Sequence, residues 1–152
     1  MRKRTRRKIW DTSINPVTHA MLGAAITDDE SLSILRKKEQ GSMEAFRNGT
    51  ATTQDWNNIN AVVQLAESMA DANIGPEVMV HVKIAEMHLI DAHDRHKRIG
   101  KMGSTGPGLQ AFQDIIEYHE LQRTAVARSV YEKHIERVTN LIRSKSSKIR
   151  FL

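Results

Sequence analysis

Residues 52–71 read TTQDWNNINAVVQLAESMAD, and their spacing decides the fold class. Trp56, Ile59, Val63, Ala66 and Ala70 recur at alternating intervals of three and four, and Val62 and Met69 widen the stripe. That period gathers side chains on one face of an α-helix, whereas a half-buried strand needs alternation at every second residue. At the head of the stretch, Thr52 and Asp55 have the spacing of a capping box, in which a hydroxyl and a carboxylate satisfy each other's backbone N–H groups.

The same signals recur on both sides. All three prolines stand where a helix should begin, a position at which the missing N–H costs nothing. Asn15-Pro16 opens NPVTHAMLGAA, Gly75-Pro76 opens GPEVMVHV, and Gly106-Pro107 opens GPGLQAF. Thr27 with Glu30 is a second capping box, opening a segment that runs to about Asn48, where Gly49 can terminate it. Gly41 falls inside this segment and marks a bend or break, because a mid-helix glycine costs about 1 kcal/mol relative to alanine. Ser129 with Glu132 opens the last helix.

Between Pro76 and Gly100, Val78, Val82, Ala85, Leu89, Ala92 and Ile99 share one face, while Val80, Ile84 and Met87 lie opposite. The first half of this helix is thus apolar almost all round, and a helix of that kind is expected in the middle of a bundle. Leu109, Phe112, Ile115 and Ile116 supply the inward face of the next helix, and Tyr131, Ile135, Val138 and Ile142 that of the last. Strand-like alternation is absent. The expected fold is therefore all-α: a single-domain bundle of five to six helices over residues 13–144. A basic arm (1–12) and a basic tail (145–152) flank it as flexible ends.

Composition bounds the function. A chain of 152 residues, 39% apolar and 27% charged, can bury a core without staples. The lack of cysteine removes disulfides, thiolate-bound zinc and thiol catalysis, and suits the cytoplasm. Aromatic residues are only 5%, too few for base-stacking platforms. The start MRKRTRRK is followed by Asp11, Asn15 and Pro16 before any apolar run, unlike an export signal. No run approaches the roughly 20 apolar residues of a membrane span.

Charge is segregated. Arg2, Lys3, Arg4, Arg6, Arg7 and Lys8 crowd the beginning, and Arg143, Lys145, Lys148 and Arg150 the end, with no acid in either stretch. All 18 acids fall in the rest of the chain, against its remaining 13 bases. Basic ends on an acidic body suit a polyanionic partner, because each neutralised phosphate releases condensed counterions.

Sites for chemistry are lacking. GKMGSTGPGLQ, residues 100–110, is glycine-rich, but Leu109 and Gln110 stand where a phosphate loop needs lysine and a hydroxyl. It reads as a connection between helices. HLIDAHDRH, residues 88–96, holds histidines and carboxylates, yet His93 and His96 point away from His88 on a helix. Neither Glu-x-x-His nor His-Glu-x-x-His occurs. The adjacent Glu117, Tyr118, His119 and Glu120 read as helix surface. The chain is read as non-enzymatic, with no cofactor and no metal.

The C-terminal third is more suggestive. The helix from Leu109, the break at RTAVAR and the helix from Ser129 form a candidate helix-turn-helix over 109–144. Lys133, Arg137, Asn140 and Ser144 line up opposite the apolar stripe, residue types that suit phosphate and major-groove contacts. Glu132 and Glu136 stand beside them. VARSVYEKHI (126–135) resembles the second helix of the Fis-type helix-turn-helix, through Arg128, Ser129 and Tyr131, with one residue fewer between Ser129 and Tyr131. The order basic start, NPVTHAMLGAAI, NIGPE, MGSTGPGLQAF, YHELQR resembles small helical proteins of proteobacteria and their prophages, some labelled Fis-like transcriptional regulators. The resemblance implies a DNA-binding regulator of bacterial or phage origin. It makes Arg128, Ser129, Lys133 and Arg137 the groove-facing residues.

Two functions are therefore expected. The first is association with nucleic acid, DNA before RNA, through Arg2, Lys3, Arg4, Arg6, Arg7, Lys8, Arg128, Ser129, Lys133, Arg137, Asn140, Arg143, Lys145 and Lys148. The second is a helical protein–protein module, either an adaptor or inhibitor acting on a host complex or a homo-oligomeric bundle, using the apolar helix that starts at Pro76.

Overall fold

The computed structural model describes residues 29–143, in which five helices pack into one bundle. They are α1 (Asp29–Arg47), α2 (Thr53–Asp71), α3 (Met79–Ile99), α4 (Gly106–Thr124) and α5 (Arg128–Arg143), with a 3₁₀ turn at Pro76–Val78 leading into α3. The segment opened by Asn15-Pro16, residues Thr27 and Asp28, and both basic ends lie outside the described residues.

The boundaries follow from local chemistry. Thr52 and Asp55 form the expected capping box: the Asp55 N–H donates to Thr52 Oγ1 at 3.4 Å, and the Thr52 N–H donates to Asp55 Oδ2 at 2.8 Å. Helix α1 ends at Gly49, whose φ of +71° lets the chain turn so that the Thr50 N–H closes onto the Ala45 carbonyl. At the head of α4, Thr105 caps the Gly108 N–H, with Pro107 in the first turn. Two expectations need correction. Helix α1 runs through Gly41 without a break, and a side chain at that position would meet open space. Helix α5 begins at Arg128, and the Val130 and Tyr131 N–H groups donate to the Ala127 carbonyl. Ser129 therefore lies inside the helix, and the Glu132 carboxylate takes a hydrogen bond from Arg128 instead of completing a cap.

The middle of the bundle is α2, which touches each of the other four helices. Its whole predicted stripe is buried: Trp56, Ile59, Val62, Val63, Ala66, Met69 and Ala70. The alanines let neighbouring backbones approach closely, and Trp56 anchors α3 by donating its indole N–H to the Leu89 carbonyl at 2.9 Å. Phe46 and Phe112 meet edge-to-face beside it, with ring centres 5.4 Å apart.

The central role expected of the helix after Pro76 is overturned. Its inner face, Val78, Val82, Ala85, Leu89 and Ala92, is buried, but Val80 is 62% exposed, Met87 53% and Ile84 40%. Ile99 is exposed as well. The reason is that, among the described residues, the main helix contacts of α3 are with α2 and α4, on its inner side. In α5 the buried row is Tyr131, His134 and Val138, whereas Ile135 is partly exposed, so a histidine takes the place expected of the isoleucine.

This arrangement sets a contrast in α3. Leu89→Ala should destabilise the protein by about 2–5 kcal/mol, the range for emptying a closely packed site, while Val80→Ala should change stability by less than about 0.5 kcal/mol. Urea unfolding of the two variants measures the difference. Equal losses would mean that Val80 is covered by the chain itself.

Candidate interaction surfaces

Helix α4 carries a buried polar row that continues its apolar stripe. Phe112, Ile115 and Ile116 are followed at helical spacing by His119, Gln122 and Arg123, all buried. The Gln122 amide donates through Nε2 to the carbonyls of Ala66 and Ile74, at 3.2 and 2.9 Å. Its Oε1 is thereby turned to His119 Nδ1, 3.1 Å away, so Nδ1 must carry the proton. The other ring nitrogen, Nε2, is left to accept the Tyr131 hydroxyl at 3.1 Å. Burial is the main cause that holds His119 neutral, pushing its pKa down to about 4. Burial also raises the Tyr131 hydroxyl, against the opposing pull of Arg123.

Arg123, with only 1% of its surface exposed, makes a two-pronged bond to Glu39 on α1: Nη1 to Oε2 at 2.7 Å and Nη2 to Oε1 at 2.9 Å. Its Nε donates to Glu120 at 3.1 Å, and Glu120 also accepts from Arg36 at 2.7 Å. Burial alone would raise the Glu120 carboxyl, but the bonds from Arg123 and Arg36 outweigh it and hold it below the usual range. Burial likewise disfavours the Arg123 cation, and Glu39 and then Glu120 more than restore it. The four charges alternate in sign and clamp α1 to α4. The residues read as helix surface at 117–120 are thus divided: Glu117 and Tyr118 face outward, whereas His119 is in the core. Sequence reading missed this network. The available signal was the three-four spacing that runs from Phe112 through to Arg123.

Of the residues expected to touch nucleic acid, Lys133, Arg137 and Asn140 are exposed together on the outer side of α5. With Glu136 and Leu141 they border one shallow groove. Arg128 is exposed and pairs with Glu132 one turn on, at 2.8 Å. Ser129 is half-buried in the first turn. Arg143 is the final residue of α5. Arg2, Lys3, Arg4, Arg6, Arg7, Lys8, Ser144, Lys145 and Lys148 lie outside the described residues. Helix α5 packs against α2, joined there by the 2.8 Å hydrogen bond between Ser68 Oγ and His134 Nδ1. Burial, and then the charge of Arg137, lowers the pKa of His134.

Two further surfaces complete the inventory. The connection 100–105 folds beside the second half of α3, enclosing a cleft of about 340 Å³ whose walls include Asp91, Asp94, Arg95 and Arg98. Acids and bases balance there. Among the described residues, no three histidine, aspartate or glutamate side chains are arranged to hold a metal ion. No described helix is long and apolar enough to cross a membrane. The second surface is the outer side of α3, where Val80, Ile84, Met87 and Ile90 are exposed in one row.

The chain matches no protein-family model, no curated protein and no solved structure. The surfaces described above are therefore the basis for a functional reading.

Two predictions follow from the buried row. Arg123→Met should cost about 3–5 kcal/mol by stranding the Glu39 carboxylate, and adding Glu39→Met should recover much of that loss; chemical unfolding of the single and double variants tests this. A histidine with a depressed folded pKa stabilises the fold while neutral. Its contribution is complete above its ordinary value of 6.5 and is lost as pH falls towards 4. His119 should account for about 3 kcal/mol of lost stability across that window. In urea unfolding between pH 7 and 4, His119→Gln should show a shallower slope, the remainder coming from His134 and Glu120, together with a lower plateau at neutral pH.

Proposed function

We propose that this protein is a non-enzymatic, nucleic-acid-associated helical bundle that holds the phosphate backbone at several points. The observation that carries the reading is the segregation of charge: ten bases and no acid in the two ends, flanking a body that holds every acid. The row Lys133, Arg137 and Asn140 supports it, since these exposed donors stand on the helix that leads into the basic C-terminal stretch. Lysine and arginine in such rows bind phosphates by charge, with no information about sequence.

The mode is backbone contact in preference to groove reading. Arg128 is engaged by Glu132, and Glu132 and Glu136 share the surface that would enter a groove. Carboxylates there oppose deep insertion between phosphate rows, while the flanking lysine and arginine still reach single phosphates. The regulator implied by the Fis-like resemblance would need Arg128, Ser129, Lys133 and Arg137 to reach base edges.

A second reading, a protein–protein module, is favoured by one observation, the exposed apolar row on α3.

Binding to two unrelated DNA duplexes, measured against salt, tests the first reading. The expected result is similar affinity for both and a steep log–log salt slope. Each phosphate contact contributes about 0.9 to that slope, so Lys133→Ala with Arg137→Ala should reduce it by about 2. Alanine at Arg2, Lys3, Arg4, Arg6, Arg7 and Lys8 should flatten it further. No binding at low salt, or a slope near zero, overturns the reading, and a strong preference for one duplex replaces backbone contact with base readout.

A further inference from the structure

The outer face of α3 is patterned to meet a copy of itself. Ile84, Met87 and Ile90 form an exposed apolar centre, with Val80 one turn before it. A charge stands at each end of it: Lys83 towards the N-terminal end and Asp91 towards the C-terminal end, both exposed. Neither makes an ion pair or side-chain hydrogen bond with a described residue.

We propose that two copies of the chain associate through this face, α3 against α3, antiparallel about a two-fold axis passing at Met87. A two-fold contact is isologous, so each residue before the axis meets the residue equally far beyond it on the partner. With the axis at Met87, Ile84 of each copy meets Ile90 of the other. Lys83 then stands level with Asp91, a pair that occurs twice. Val80 falls level with Asp94, at the ends of the contact. Six apolar side chains thus close the centre and two opposite-charge pairs flank it, the division of labour that sets orientation and register in paired helices.

Two other pairings lack this match. A parallel pair would set Lys83 on Lys83 and Asp91 on Asp91. An antiparallel pair centred one turn earlier, at Ile84, would set Met87 against His81 and leave Lys83 without an acid. Complementarity therefore favours the antiparallel pair centred at Met87, and with it a second copy as the occupant. The inference is independent of the nucleic-acid reading, because none of these residues belongs to the basic ends or to α5.

The test uses the full chain, which has no cysteine of its own. Sedimentation should show a dimer that dissociates on dilution. Met87→Cys should oxidise readily to a disulfide-linked dimer, since the two sulfurs meet at the axis. Val80→Cys should not, because its counterparts lie about 20 Å apart along the paired helices. Lys83→Asp and Asp91→Lys should each shift the chain towards monomer by setting like charges face to face. Mixing these two variants should restore dimers, because each then supplies what the other lacks. All of these positions are exposed, and circular dichroism checks that each variant is folded. A monomer at every concentration overturns the proposal and leaves the face to another occupant, such as the chain's own Val17–Ile26 stretch or a different protein. Cross-linking through Val80→Cys in place of Met87→Cys, or no recovery on mixing, overturns the antiparallel register.

Discussion

The register of the bundle depends on the buried pair between Arg123 and Glu39. A guanidinium cannot shed its charge, so a buried arginine demands a carboxylate placed to meet both prongs, here at 2.7 and 2.9 Å. Apolar burial drives α1 onto α4 without fixing where along α4 it settles, because the hydrophobic effect has no direction. The forked bond has one, and it sets the register between helices 84 residues apart in the chain. Its neighbours extend the same logic. Gln122 ties α4 to α2 and to the connection before Pro76, and His119 ties it to α5 through Tyr131. Three nearly consecutive side chains of one helix thus position α1, α2 and α5.

That dependence explains what was legible in the sequence. The elements were: the capping box at Thr52, the glycine stop at Gly49 and the apolar period of residues 56–70 are local features, and each stands where local chemistry puts it. Gly41 misled because a propensity of about 1 kcal/mol is small beside the packing of a nineteen-residue helix that buries Leu32, Met43 and Phe46. The order of packing was not legible. Both α2 and α3 are rich in apolar residues, and periodicity cannot say whether a second apolar face is covered by the same chain. The polar members of the two helices carry the distinction. Asn60 and Ser68 on α2 are small and are buried, whereas Lys83 and Asp91 on α3 are charged, unpaired within the bundle and exposed.

The candidate sites divide along the same line. Lys133, Arg137 and Asn140 could be placed on one exposed row from spacing alone, because a helix surface is a local property. The partners of Arg123 could not, since Glu39 becomes its neighbour only once the bundle has closed. A polar residue that keeps the period of an apolar stripe is the available signal for such a pair. His119, Gln122 and Arg123 all keep it.

The two surfaces, if both are used, respond differently to salt. Phosphate binding draws its free energy from counterion release and weakens continuously as salt rises. The proposed α3 contact has an apolar centre that salt does not screen, with charge only at its rim. High salt would therefore release nucleic acid while leaving paired chains paired. Low salt would engage four basic ends at once, since each copy brings two. Linking the ends in this way makes later phosphate contacts intramolecular, so affinity for a long polyanion would rise without any new kind of contact. Pairing through α3 would thus amplify the electrostatic preference proposed for a single chain. It also leaves α5 clear, because the face it uses is separate from the row of Lys133, Arg137 and Asn140.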